Sequence, residues 1–330
     1  MKITVVIPTR NRADLLKSTL NSLLNQTLGR NDFEVIVVDN GSTDNTPSVV
    51  ETFQDQLQVR CIYEGRPGLH RGRHAGWLAA KTDYIVYADD DIEAFPTWLE
   101  TIVSVFDSNN QIALIGGKNL PKFQAAPPFW ITEMWNKPHR FGRMMADLSI
   151  LDFGNKEMEI HPMYIFGCNF AVRRIILEKT SGFHPDGMPF DLIEYRGDGE
   201  TYVAEWAKAN GYIAYYHPNA SVHHVVTPER LTREYFFKRR YTQGISDAYT
   251  MLRAGKTKQK FTNSGLKYKL RVVLGFEQIK MLFDIKNEMS RTEFDKQLEI
   301  SYQNGFDFLL GNYKNRNEVK EWIHKENYLE

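Results

Sequence analysis

Cysteine is scarce: Cys61 and Cys168 are the only two in 330 residues. They cannot form a disulfide framework, and no CxxC spacing points to zinc or redox work, so both read as small buried hydrophobes. Net charge is missing as well, because 41 basic and 41 acidic side chains sum to zero. A generally basic surface is thereby excluded, and no nucleic-acid partner is expected. Long apolar runs are also absent. Stretches such as Ile3 to Ile7 and Ile112 to Ile115 fall far short of the ~18 residues that cross a bilayer. The opening residues, Met1 to Pro8, hold one charge and a short apolar core that meets a proline, unlike the h-region of a secretory signal. The expected location is the cytoplasm.

Glycine is missing from one informative place. The segment Pro8-Thr9-Arg10-Asn11-Arg12 after the first apolar run contains none, so the G-x-G-x-x-G of a dinucleotide fold cannot be there. No G-x-x-x-x-G-K-[ST] phosphate loop and no G-x-S-x-G elbow occurs either, which removes the main supports for hydride transfer, P-loop hydrolysis and α/β-hydrolase chemistry.

What is present is alternation. With 42% hydrophobic residues and roughly 150 residues per domain, the chain has room for two units, or one α/β unit with an appendage. Residues 2–8 and 33–38 are β-branched runs of the kind buried on both faces of a parallel sheet. Between them Leu16, Leu20, Leu23 and Leu24 recur at helical spacing, and Thr46-Pro47 opens a second helix. Further strands at 61–63 and 83–88 and helices at 74–80 and 96–106 continue the pattern to about residue 117. The expected fold is α/β with a doubly wound, mostly parallel sheet. Residues 120–142, rich in Pro and aromatics, read as an irregular loop. A strand is expected over 164–172 and a helix over 200–210, closed by Gly211. Beyond Pro228 the pattern is helical, with apolar stripes at Leu270, Val273, Leu274, Ile279, Leu282 and Phe283. The expected division is a catalytic domain over 1–228 and a helical region over 229–330. Twelve Lys or Arg stand against Glu234 and Asp247 between Arg230 and Arg271. That is either a solvated helical face or a surface for anionic lipid, which would place the chain peripherally at the cytoplasmic face of a membrane.

In an open α/β sheet, ligands bind beyond the carboxyl ends of the strands, and the polar clusters fall there. Strand one ends in Pro8-Thr9-Arg10-Asn11-Arg12, strand two in Asp39-Asn40-Gly41-Ser42-Thr43-Asp44, and a later strand in Asp89-Asp90-Asp91. Three adjacent carboxylates repel unless a cation or hydrogen bonds offset them. Mg²⁺ or Mn²⁺ is one remedy; the other reading is turn and helix-capping acids ahead of Pro96.

Val5-Val6-Ile7-Pro8-Thr9-Arg10-Asn11-Arg12, Val37-Val38-Asp39-Asn40-Gly41-Ser42-Thr43-Asp44 and Asp89-Asp90-Asp91, in this order and spacing, resemble the N-terminal signatures of glycosyltransferase family 2. The resemblance implies a GT-A fold, a nucleoside-diphosphate sugar donor, Mn²⁺ or Mg²⁺, and inversion at the anomeric carbon. It implies that Pro8, Thr9 and Arg12 line a nucleotide pocket, that Asp39 accepts a hydrogen bond from the base, and that Asp91 is the direct metal ligand with Asp89 or Asp90 near ribose and diphosphate. Arg73 falls at the arginine of the family's A-R-N-x-G stretch, with His74 in place of the asparagine; a phosphate-facing role and an ordinary surface role are both open. Gly167-Cys168-Asn169-Phe170-Ala171-Val172-Arg173-Arg174 is similar to a segment beside the acceptor site, which brings in Gly167 and Asn169.

Aligned on Gly211, Glu200 takes the place of the family's catalytic aspartate, with Asp198 as the alternative base; both could instead cap the following helix. His224 matches a second metal ligand by its spacing to Arg230, against a purely structural histidine. Trp130 and Trp135 either stack on acceptor sugars or cover a core. The function so implied is metal-dependent, inverting sugar transfer to a saccharide or lipid-linked saccharide. A sugar-phosphate nucleotidyltransferase and a non-catalytic saccharide-binding module are the alternatives.

Overall fold

A computed structural model describes residues 1–256 and 290–329. The apolar stripes expected at Leu270 to Phe283 and the basic residues from Lys258 to Arg271 lie outside the described residues. Two compact units are present: residues 1–193, 198–231 and 326–330 form the first, and 194–197 with 232–325 form the second.

The first unit begins with β1 (Ile3–Thr9), α1 (Ala13–Leu23), β2 (Phe33–Asp39), α2 (Thr46–Glu51), β3 (Val59–Tyr63), α3 (Leu69–Ala79) and β4 (Tyr84–Ala88). β1 is buried along its whole length because helices cover both faces of the sheet, which is why its sequence is β-branched throughout. It pairs in parallel with β2, from Ile3 opposite Phe33 to Thr9 opposite Asp39, and with β4, from Ile3 opposite Tyr84 to Val6 opposite Tyr87. The chain therefore winds outward from β1 through β2 to β3, then returns to β1's other side for β4. That reversal is the topological switch point at which such sheets open a crevice.

β5 (Ile92–Ala94), α4 (Trp98–Ser108), β6 (Ile112–Gly116), β7 (Asn119–Phe123), α5 (Phe129–Asn136), β8 (Pro138–His139), β9 (Gly142–Met145), β10 (Ile150–Asp152), β11 (Met158–Ile160) and β12 (Asn169–Arg173) follow. After them come α6 (Arg174–Thr180), α7 (Glu200–Ala209), β13 (Ile213–Tyr216) and β14 (Val222–Val226). The main sheet runs β11-β13-β6-β12-β4-β1-β2-β3, and a second sheet runs β5-β14-β7-β10-β9-β8. β12 is antiparallel to β4, so the main sheet is mostly, not wholly, parallel.

The second sheet corrects the expectation of an irregular loop over 120–142. Its prolines sit where strands and helices tolerate them. Pro121 lies on β7 past Asn119, the one residue at which β7 pairs with β10, and Pro128 is the residue that precedes α5. The strand expected over 164–172 starts only at Asn169, because Pro162 opens a 3₁₀ turn over Pro162–Tyr164 and Gly167-Cys168 form a turn.

In the second unit α8 (Arg233–Arg253) packs against α9 (Arg291–Asn315), followed by α10 (Asn317–His324). Thr232 caps α8 by accepting from Tyr235 N–H, and Ser290 caps α9 by accepting from Glu293 N–H. No helix among the described residues is long and apolar enough to cross a membrane.

α3 lies unusually close to β1. A Cβ at Gly72 would stand 2.9 Å from that of Pro8, and one at Gly76 would collide with the Val6 side chain. Gly→Ala within a helix normally stabilises by roughly 1 kcal/mol; here the collision with a rigid buried valine dominates. Gly76→Ala should lower the urea unfolding free energy by about 1–3 kcal/mol, and a gain would contradict this packing.

Candidate functional site

Pairing between β1 and β4 stops at Val6 and Tyr87, so beyond that point side chains, not backbone bonds, join the two strand ends. Thr9 Oγ1 donates to Asp90 Oδ2 at 2.7 Å. Arg12 reaches Asp90 Oδ1 with Nη1 at 2.6 Å and donates from Nη2 to Asp91 Oδ2 at 2.7 Å. The loop that carries Arg12 turns at Asn11, whose φ of 54° is left-handed. Asparagine tolerates that region where most residues do not, which explains how the loop dispenses with glycine. The Asn11 side chain is in turn fixed to the second loop, its Oδ1 accepting from Thr43 N–H at 2.7 Å. Asp44 Oδ2 accepts from Ala13 N–H at 3.1 Å, capping α1 from outside. Asp39, opposite Thr9 in the sheet, accepts from Ser42 N–H at 2.7 Å and is buried.

β14, on the second sheet, brings His224 to the same place. His224 Nδ1 faces the Leu148 carbonyl at 2.9 Å, and Arg230 Nη1 lies 3.1 Å from Nε2. An arginine can only donate, so Nε2 accepts and the ring proton sits on Nδ1. Nε2 also stands 3.3 Å from Asp91 Oδ1, while Arg230 Nη2 pairs with Asp91 Oδ2 at 3.1 Å. Burial alone would raise the Asp91 pKa, yet the adjoining His224 ring first, and then the Arg230 and Arg12 guanidiniums, hold it well below the usual carboxylate range. Asp89 moves the opposite way, pushed up by desolvation and then by Asp91, against Arg73, His224 and Arg230.

These residues fit a divalent cation. Asp91 Oδ1 is buried and has no hydrogen-bond partner, and it faces an imidazole nitrogen that is itself an acceptor. Ligand atoms of Asp89, Cys168 and His224 lie within 4.8 Å of one another. A carboxylate and imidazole donor set suits first-row divalent ions.

The other side of the cluster is built on α3 and α7. Arg73, buried at 3% exposure, donates from Nη1 to Glu200 Oε2 at 2.8 Å. Its charge also acts on Asp89, which links Glu200 to the aspartates. Gly167 leaves room for this pair, since a Cβ there would come within 2.8 Å of Glu200 Oε1. Asp198 is engaged elsewhere: its Oδ1 lies 2.6 Å from His184 Nδ1, and the His184 ring stacks on Tyr202. The Glu200 side chain keeps 25% exposure against 9% for Asp198.

Thus Thr9, Arg12, Arg73, Asp89, Asp90, Asp91, Glu200 and His224 are brought together, with Asp39 and Pro8 at the adjoining strand end. Asn169 is not presented to this space. It is 1% exposed, accepts from Trp98 Nε1 at 2.9 Å, and donates to Asn119 Oδ1 at 3.1 Å and the Ala220 carbonyl at 3.0 Å, so its amide ties β12 to its surroundings. Trp135 is buried on α5 with the Arg143 guanidinium 4.8 Å over its ring, and Trp130 on the same helix is half-buried; Trp135 offers no open ring face for stacking. Sequence reasoning passed over Arg230, named only as a spacing mark for His224. Cys168, read as a small buried hydrophobe, is indeed buried, and its neighbours depend on the β12–β4 register.

The profile of "Glycosyl transferase family 2" matches residues 4–180. A doubly wound GT-A sheet with carboxylates at its switch point is the class of protein that fold and site define, and the chain belongs to glycosyltransferase family 2. Validoxylamine A glucosyltransferase of Streptomyces hygroscopicus subsp. jinggangensis is 36% identical over 104 residues, covering 31% of this chain and 25% of that enzyme. Chondroitin synthase of Escherichia coli is 35% identical over 116 residues, covering 34% and 17%. The matched segment thus spans a quarter or less of either relative. Mannosyltransferase PcManGT from Pyrobaculum calidifontis, solved with GDP-Man and Mn²⁺, shares the fold with a TM-score of 0.55 at 18% identity, over 99% of this chain and 84% of that one.

α3 also buries two histidines. Burial, then neighbouring positive charge, lowers His70 to about 3 and His74 to about 4 from 6.5; His74 Nε2 accepts from Phe183 N–H at 2.8 Å. Their folded pKa values lie below the unfolded one, so between pH 6.5 and about 4 the unfolded chain binds more protons and stability falls as pH falls. Each contributes a slope of about 1.4 kcal/mol per pH unit in that window. His74→Gln should remove one proton's worth of slope in urea unfolding measured between pH 4.5 and 6.5; an unchanged slope would show that His74 titrates normally.

Proposed function

We propose that the chain moves a sugar from a nucleoside-diphosphate sugar to a hydroxyl of a saccharide or lipid-linked saccharide, with inversion, and that it needs a divalent cation. The observation that carries this reading is the buried, unpartnered Asp91 Oδ1 facing His224 Nε2 at 3.3 Å, at the switch point of a GT-A sheet. Relatives support it by their names, and one neighbour of the same fold was solved with GDP-Man and Mn²⁺.

In this reading Asp91 and His224 would hold Mn²⁺ or Mg²⁺, and the chemistry such an ion would supply there is Lewis-acid relief of the charge on a departing diphosphate. Thr9, Arg12 and Asp39 line the nucleotide side, the last accepting from the base. Arg12 and Arg230 hold the carboxylates in place, and their donors suit phosphate oxygens. Glu200 is the base. Its Oε2 is fixed by Arg73, while Oε1 beside Gly167 is left to take the acceptor's proton as the hydroxyl attacks the anomeric carbon opposite the diphosphate. Asp198, buried against His184, is less suited. One displacement with one base requires no covalent enzyme intermediate. The basic stretch that begins at Arg230 would suit meeting a lipid-linked acceptor at an anionic cytoplasmic surface.

A thermal-shift panel of UDP-, GDP- and dTDP-sugars tests the donor class: at least one should stabilise the protein only when Mn²⁺ is present. Stabilisation by none, with or without metal, would favour a saccharide-binding module. Glu200→Gln keeps the shape and a bond to Arg73, and should lower kcat by about 10²–10⁴-fold with donor affinity within about twofold. Normal turnover would remove Glu200 as base.

A further inference from the structure

Cys168 stands at the turn immediately before β12, and β12 runs antiparallel to β4 with Asn169 opposite Ala88. Continuing that register by one residue sets Cys168 against Asp89. The second sheet supplies His224 from the other side, and Sγ, an Asp89 oxygen and a His224 ring nitrogen come within 4.8 Å of one another. The thiol is fully buried at 2% exposure and its protein contacts are weak. Sγ accepts from Asn119 Nδ2 at 3.4 Å and donates to the Ser149 carbonyl at 3.8 Å. A second observation points to a ligand at this place: the buried Asp91 Oδ1, without a hydrogen-bond partner, faces the same imidazole.

We propose that Cys168 is a sulfur ligand of the cation site, so that Asp89 and Cys168 join Asp91 and His224 in a mixed oxygen, sulfur and nitrogen set that selects borderline-soft ions such as Zn²⁺ and Co²⁺ over Mg²⁺. This rests on the reading of the site as a metal site and adds to it two further donors, Asp89 and Cys168, and a metal preference. Thiolate and imidazole favour zinc-like ions, whereas magnesium demands oxygen and retains its water. On binding, the thiol loses its proton to solvent as the metal–sulfur bond forms; no electrons change hands. The consequence is a site that zinc occupies in preference to magnesium, and that zinc inhibits when it displaces the working ion.

Co²⁺ titration of the full chain, followed by absorption, tests this without turnover. The expected result is a near-ultraviolet sulfur-to-cobalt charge-transfer band that saturates at one ion per chain. Cys168→Ser should abolish that band, weaken Co²⁺ and Zn²⁺ binding by about 10–100-fold, as losses around metal sites typically do, and leave Mg²⁺ affinity within about twofold. Cys61→Ser should keep the band. The wild-type spectrum decides the question even if Cys168→Ser folds poorly. Visible cobalt absorption with no charge-transfer band overturns the role of Cys168 and leaves the metal reading standing; a wild-type chain that binds neither Co²⁺ nor Mn²⁺ by calorimetry overturns both.

Discussion

The structure depends on one electrostatic constraint: Asp89, Asp90 and Asp91 are set side by side at the end of a buried strand. Two like charges about 4 Å apart repel by roughly 4 kcal/mol at an effective dielectric near 20, a large share of the net stability of an ordinary domain. The chain answers with Arg12 from the loop after β1 and Arg230 from the segment after β14, which pair with Asp90 and Asp91 at 2.6 to 3.1 Å. Those pairs reach across both sheets, so the need to neutralise the aspartates also fixes the first loop and the tail of the second sheet. Even so, one Asp91 oxygen is left without a hydrogen bond. With two arginines on these carboxylates, an Asp91 oxygen still faces His224 Nε2 at 3.3 Å, and the proposed cation site rests on that feature.

α3 couples this cluster to Glu200. The helix lies against β1 because Gly72 and Gly76 present no side chain there, and its own polar residues, His70, Arg71, Arg73 and His74, are buried. A helix with such a face is stable only if each group is paired or kept neutral. Arg73 is paired with Glu200, Arg71 donates to the Tyr328 carbonyl at 3.0 Å, and burial keeps the two histidines neutral. Glu200 is therefore held by a rigid element seated on the central strand, not by a flexible loop.

Much of this was legible in the sequence. The β-branched runs, the interposed leucine periodicity and the polar ends of the strands gave β1 to β4 and the place of the site, because burial on both faces leaves a local record in residue type. The acidic triplet and Glu200 stood out as candidates by residue type and spacing, and the structure sets them close to Arg12 and Arg73. What was not legible depended on pairing between distant strands. The second sheet was hidden because Pro121 and Pro138 occupy strand positions that only partner geometry makes tolerable, with Pro128 between them just ahead of a helix. Asn169 read as a site residue because its amide partners, Trp98, Asn119 and Ala220, lie far off in sequence. Cys168 is buried as its sequence reading expects, whereas the contacts of Arg230 with His224 and Asp91 had no local signal that separates it from an ordinary surface arginine.

The most direct measurement is anomalous diffraction at the manganese edge from crystals grown with Mn²⁺ and a nucleoside diphosphate. The account predicts one strong peak within coordination distance of Asp91 and His224, with the diphosphate bound against it. A nucleotide bound at this strand end with no anomalous peak there, or manganese found only on unrelated carboxylates, would contradict it.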